Sequence, residues 1–152
     1  MEITLSITQV LQGVYADAAL MSASTDCTSR PALLRREQGN ALKRLCMTAW
    51  GVLMGEICGY IGDFAFTPTS YMANEDPELL SLTLTSEEAE RHGPAMRLQL
   101  STALERRLLS MAYGTAYPEL ARANEALAER AVGGFIRLAR GEIRPTSIEP
   151  WG

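Results

Sequence analysis

Apolar positions recur with a helical period along most of this chain, and the first such run is bounded as a helix should be. Ile7, Val10, Leu11, Val14, Tyr15 and Ala18 fall at i, i+3, i+4, i+7, i+8 and i+11, a spacing that collects them on one face. Ser6-Ile7-Thr8-Gln9 ahead of them has capping-box form, so a helix is predicted from about residue 6 to 22. Ser22 to Ser29 replaces that period with Ser-Thr-Asp chemistry and reads as a loop. Pro31 suits the first turn of the next element, where its missing N–H is harmless. Arg35 to Gly62 is then the longest helical candidate, basic and amphipathic in its first half and apolar nearly all round in its second. A helix apolar on every side must be enclosed. Gly51, Gly55 and Gly59 at i, i+4 spacing suggest a groove for close backbone packing, so this is read as the central helix.

From Asp63 the period falls to two. Phe64 and Phe66, then Leu80, Leu82 and Leu84, alternate with Ala65, Ser81 and Thr83, the pattern of half-buried strands. Between them lies the polar, turn-rich stretch Thr67 to Glu78, containing Asn74-Glu75-Asp76-Pro77. An isolated hairpin is marginal in water, so its Phe/Leu face must rest on helices or on another subunit. Thr85-Ser86-Glu87-Glu88 is a second capping box, interrupted by His92-Gly93-Pro94, which places the start of a long third helix near Pro94. Met96, Leu100, Ala103, Leu104, Leu108, Met111 and Ala112 line its inner face, and Tyr113-Gly114 closes it. Pro118 opens a fourth helix with Leu120, Ala123, Leu127, Ala131, Phe135 and Leu138 inward, stopped by Gly141. The predicted fold is all-α: a bundle of about four helices with a small β-hairpin-like excursion (63–85) between helices 2 and 3. A single domain over 1–152 is expected, ending in an extended tail, 142–152.

Composition supports an ordinary globular chain, with 47% hydrophobic and 21% charged residues among 152. A chain of this size buries roughly 70% of its unfolded surface without needing staples. Cys27, Cys46 and Cys58 are odd in number and lack CxxC spacing, so they are expected as buried reduced thiols in a reducing compartment, and a cytoplasmic location follows. No basic region precedes an apolar run at the N-terminus, so no signal peptide is expected. Leu45 to Gly62 carries one charge, Glu56, and resembles a short membrane segment. A carboxylate at its centre would cost ~2.5–3.5 kcal/mol in a bilayer, which favours a buried helix over a membrane span.

Catalytic chemistry finds little footing. His92 is the only histidine, and a triad or zinc site needs it held by further polar partners. Glu87-Glu88 and Asp76/Glu78 sit in a capping turn and a loop tip, where solvation or dipole complementation is the simpler reading. Glu56, alone in an apolar helix, is either a partly exposed or hydrogen-bonded acid, or an acid of raised pKa. Gly133-Gly134 falls inside a helix, and no phosphate-binding glycine pattern occurs. A protein that is not an enzyme, and that holds no metal and no cofactor, is expected.

Charge changes the picture more. The net charge is −4, against direct nucleic-acid binding. Residues 63–90 carry seven acids and no base, whereas residues 28–62 and 91–152 are each net +3. Thirteen of the fourteen bases are arginine, which suits interfaces and would equally follow from a GC-rich genome. The charge asymmetry is either balanced within the chain or presented to a neighbour head to tail, as in closed rings. In the second case the acidic hairpin region would face the arginine-bearing surface of the next subunit, with Glu75, Asp76, Arg35 and Arg36 as candidate contacts. Phe64, Phe66, Leu80, Leu82 or Leu84 would supply the apolar part of the contact. Trp151 would be an anchor in the tail unless it folds back on its own bundle.

Arg30-Pro31-Ala32-Leu33-Leu34, the Leu80–Leu84 alternation and the alanine-rich helices from Ala103 to Ala131 resemble small helical neck proteins of tailed bacteriophages and prophages, the head–tail connector or tail-completion proteins. The likeness is one of pattern across most of the chain. It implies a non-enzymatic structural subunit that forms rings and grips neighbours through extended segments and termini, with homo-oligomeric contacts, other assembly proteins as partners, and a virion-associated location. The alternative is a small cytoplasmic ligand-binding or regulatory protein with a pocket between bundle helices.

Overall fold

The computed structural model describes residues 1–24, 31–60, 66–69, 71, 75–85 and 87–141. The chain is mostly helical, but it opens on a strand. Strand β1 (Glu2–Ser6) runs directly into helix α1 (Ile7–Ser24). The Ser6 hydroxyl accepts from the Gln9 N–H at 3.4 Å, so the predicted cap is in place while the helix runs two residues past its expected end. Two 3-10 turns, Ala32–Leu34 and Arg36–Gln38, lead into α2 (Gly39–Cys58). Strands β2 (Phe66–Pro68) and β3 (Leu79–Leu84), a short helix α3 (Glu87–Arg91), and the long helices α4 (Gly93–Tyr113) and α5 (Pro118–Ala139) follow.

The expected two-stranded excursion is a three-stranded antiparallel sheet of order β1-β3-β2. Its central strand β3 pairs with β1 (Ile3 opposite Leu82, Leu5 opposite Leu80) and with β2 (Phe66 opposite Leu84). Glu2-Ile3-Thr4-Leu5-Ser6 alternates as strictly as β3 does, with Ile3 and Leu5 buried and Glu2 exposed. A strand of five residues is easily overlooked when the period-3.6 signal of the following helix begins at Ile7. The all-α expectation is thereby corrected to a mainly helical fold with a small sheet.

One continuous core joins the inner face of that sheet to Val10, Val14 and Ala18 of α1, Leu42, Leu53 and Ile57 of α2, and Leu100, Leu104 and Phe135 of the α4–α5 pair. Helices α4 and α5 are antiparallel neighbours joined at Gly114, whose φ of 49° supplies the left-handed residue that ends α4, with its N–H on the Ser110 carbonyl at 3.0 Å. Gly141, whose φ of 71° is likewise positive, follows the end of α5. In α5 the buried stripe passes through Asn124, Ala128, Ala131 and Phe135, one residue on from the predicted Ala123 and Leu127. Asn124 is tolerated inside because its amide donates to the Leu120 carbonyl at 2.8 Å and accepts from Arg106 Nη1 at 3.2 Å. Met111, also expected inside, is exposed, while Arg107, Leu109 and Tyr113 are buried.

Candidate functional site

Of the residues expected to contact partners, Leu80, Leu82 and Leu84 are fully enclosed by the protein's own helices. They form the floor of the sheet and offer no apolar surface to a neighbour, which corrects that expectation. Addition of β1 is the physical reason: with three strands, the inner face is wide enough to be roofed by the bundle. Phe66 is half-buried against the same core. Glu75 and Asp76 are exposed, and Asp76 is ion-paired with Lys43 at 2.6 Å, so part of the acidic excursion is balanced inside the chain. Such an exposed pair contributes about 0–1 kcal/mol. Arg35 and Arg36 are exposed on the turn before α2, and the Arg36 guanidinium lies 5.3 Å from the centre of the Tyr15 ring. Phe64, Trp151 and Cys27 lie outside the described residues.

Helix α2 departs from expectation. Its inner side, Leu42, Cys46, Ala49, Trp50, Leu53, Met54 and Ile57, is buried as predicted. Its glycine side is not. A Cβ placed on Gly51 or Gly55 would meet nothing within 4 Å, Val52 is 50% exposed and Tyr60 just beyond the helix 59%. Thr48, Gly51, Val52, Gly55, Cys58 and Gly59 form one exposed face, carrying no charge, so among the described residues the glycines seat no neighbouring helix. Cys58 is therefore exposed, not buried as expected, whereas Cys46 is enclosed. Burial pushes the Cys46 thiol up to about 12, against a smaller opposing pull from Lys43.

Beside that face is a cleft of about 600 Å³ lined by Glu56, Tyr60, Arg107, Glu129, Arg137 and Arg140, among others. Arg107 forms its floor. Its Nη2 donates to Glu56 Oε2 at 2.8 Å and its Nη1 to Glu125 Oε1, linking α4 to α2 and α5. Its side chain is 9% exposed and both carboxylates 36%, and its Nε is buried with no partner among the described residues. Arg140 Nη2 donates to the Tyr60 carbonyl and ties the end of α5 to the end of α2. Glu56 is thus the ion-paired acid that the simpler sequence reading favoured. Arg107 was missed, although the signal was present: it falls at the i+3, i+4 register of Ala103 and Leu104, a base on an otherwise apolar face.

The described residues contain no group of three or more His, Cys, Asp or Glu placed to hold a metal, and no described helix is long and apolar enough to cross a membrane. His92 is half-buried at the N-cap position of α4, its carbonyl accepting from the Met96 N–H at 2.8 Å. Comparison with protein-family models, with curated proteins and with solved structures finds no match to this chain.

Proposed function

We propose that the chain is a non-enzymatic subunit of a homo-oligomeric assembly, of the head–tail connector type that its sequence pattern resembles. The observation that supports this reading is the uncovered side of α2. An apolar helix must be enclosed on every side, and the chain's own core encloses only one. The remaining side is small-residued and uncharged, a surface on which another backbone approaches closely. It adjoins the arginine- and glutamate-lined cleft, which gives the contact a polar rim beside an apolar centre, as interfaces have.

Replacing Val52 with arginine tests this. The side chain stands in solvent, so the Val52→Arg protein keeps its helical circular dichroism and melting behaviour. Its assembly, followed by sedimentation velocity of the full chain, is expected to be lost. A Val52→Arg protein that assembles as the parent does would remove this face from the interface. The cleft favours a second reading, a small ligand with both acidic and basic groups held between α2 and α5. A monomeric chain that is stabilised by such a ligand would favour it over assembly.

A further inference from the structure

Helices α4 and α5 meet with Gln99 against Gly134 and Arg106 against Asn124. Between those contacts they leave a groove of about 360 Å³, at the small end of the roughly 300–1,000 Å³ of ligand sites. Its charge is of one sign. Arg106 of α4 and Arg130 and Arg137 of α5 line it, and no carboxylate does among the described residues. The cleft beside α2, which shares Arg137, is by contrast balanced, with Glu56, Glu125 and Glu129 set against its arginines. A concave surface lined by one sign of charge concentrates counter-ions even in a chain of net charge −4. The donors here are also largely unspent. The Arg130 guanidinium, the Gln99 amide and the Thr102 hydroxyl make no hydrogen bond among the described residues. Arg137 donates its Nε to the Gly133 carbonyl at 3.2 Å, which folds its guanidinium back along α5 toward Arg130. Arg106 closes the other end, held by Asn124 at 3.2 Å and Asp17 at 3.6 Å. Gly134 makes room for this arrangement. A Cβ there would lie 2.9 Å from Gln99 Cδ, so a larger residue displaces the Gln99 amide from its place over the glycine.

We propose that this groove binds a phosphoryl group, either free or carried by a small monoester. Arginine's planar fork bonds phosphate oxygens in pairs, and Arg130 and Arg137 offer two such forks from the α5 wall. Gln99 and Thr102, on successive turns of α4, offer an amide and a hydroxyl from the other wall. Donors that face one another across a groove suit a tetrahedral group with several oxygens. A planar carboxylate, whose two oxygens point the same way, meets only one wall. Leu127, 38% exposed in the same lining, gives the organic part of a monoester an apolar surface to rest on. The donors are all side chains on two helices of one chain, so the site is complete whether or not the chain assembles.

Thermal unfolding of the full chain in inorganic phosphate, phenyl phosphate or acetate, at matched ionic strength, tests this. A ligand held only by the folded chain raises the midpoint with its concentration. A rise in both phosphate compounds by about 10 mM, and none in acetate, is expected. A larger rise in phenyl phosphate assigns the monoester as the source, and an equal or smaller one assigns free phosphate. Arg130→Gln changes an exposed side chain and keeps the unliganded midpoint. It is expected to raise the concentration needed for the same rise about tenfold or more, as loss of one charge-assisted bond does. Gly134→Ala should raise it less, by moving Gln99. Arg122→Gln, on α5 outside the groove, should leave it unchanged. No rise in either phosphate compound, an equal rise in acetate, or equal losses in Arg122→Gln and Arg130→Gln would overturn the site.

Discussion

Two residues that look out of place in the sequence account for each other in the fold. Glu56 is the lone acid of α2 and the lone charge of its apolar second half, and Arg107 is a base in an inward register; the structure joins them at 2.8 Å, with Glu125 as the third member. Removing the base leaves two carboxylates facing each other across an empty place. Arg107→Ala is expected to lower stability by about 1.5–3 kcal/mol, the range for hydrogen bonds to charged groups. Arg107→Met should cost less by keeping the packed stem. Urea unfolding of both proteins checks the order. Glu105 makes a pH-dependent case. Its carboxyl occupies the space over Gly13, where a Cβ would collide with it. Burial pushes its pKa above the ordinary carboxylate range, Asp17 adds to the rise, and Arg106 and the Ser101 hydroxyl oppose it. A raised folded pKa means that the folded chain holds this proton more tightly than the unfolded chain. Its stabilising contribution is therefore present below the ordinary value and lost as pH rises through the raised one. Glu105→Gln is expected to stabilise the protein at pH 7, with the gain shrinking as pH falls through the raised pKa and gone below about pH 4. A gain that grows on acidification would contradict the sign.

At the scale of elements, α2 shows both how far periodicity carries and where it stops. The inner stripe from Leu42 to Ile57 follows from spacing alone, as do the caps at Ser6, Gly114 and Gly141. Enclosure of the other side does not follow, because apolarity demands a cover without saying whose. Gly55 distinguishes the cases. A helix glycine with nothing within 4 Å of its missing Cβ gains from alanine, by about 0.4–1 kcal/mol through the unfolded chain's lost freedom. Gly55→Ala should thus raise the stability of the isolated subunit, where a packed groove would have made it worse. Thermal or urea unfolding under dissociating conditions reads the sign. The sheet shows the complementary failure. The Leu80–Leu84 alternation was legible, but its pairing with Glu2–Ser6 spans almost eighty positions, and nothing local in five residues announces a partner so distant. With β1 unseen, the leucines looked like surface for a neighbour; with it in place they are the floor of the core. The sheet's two edge strands are then β1 and β2, with β3 between them.

For the whole molecule, the charge pattern and the open surfaces separate into two roles. Lys43 with Asp76, Arg106 with Asp17 at 3.6 Å and Arg107 with its two glutamates are satisfied within the chain, so intramolecular balance absorbs part of the asymmetry that suggested a head-to-tail contact. What remains is the rest of the acidic stretch, with Glu75, Glu78, Glu87 and Glu90 exposed, together with an uncharged helix face and an open strand edge on one small chain. Two different surfaces on identical copies meet as a heterologous contact, which closes into a ring when the rotation permits. The mass of the full chain in solution tests this most directly. Native mass spectrometry, supported by sedimentation equilibrium at micromolar concentration, is expected to give one species at a whole-number multiple of the chain's 16.6 kDa, the multiple unchanged on dilution. A single 16.6 kDa species across the whole concentration range would contradict the proposed role.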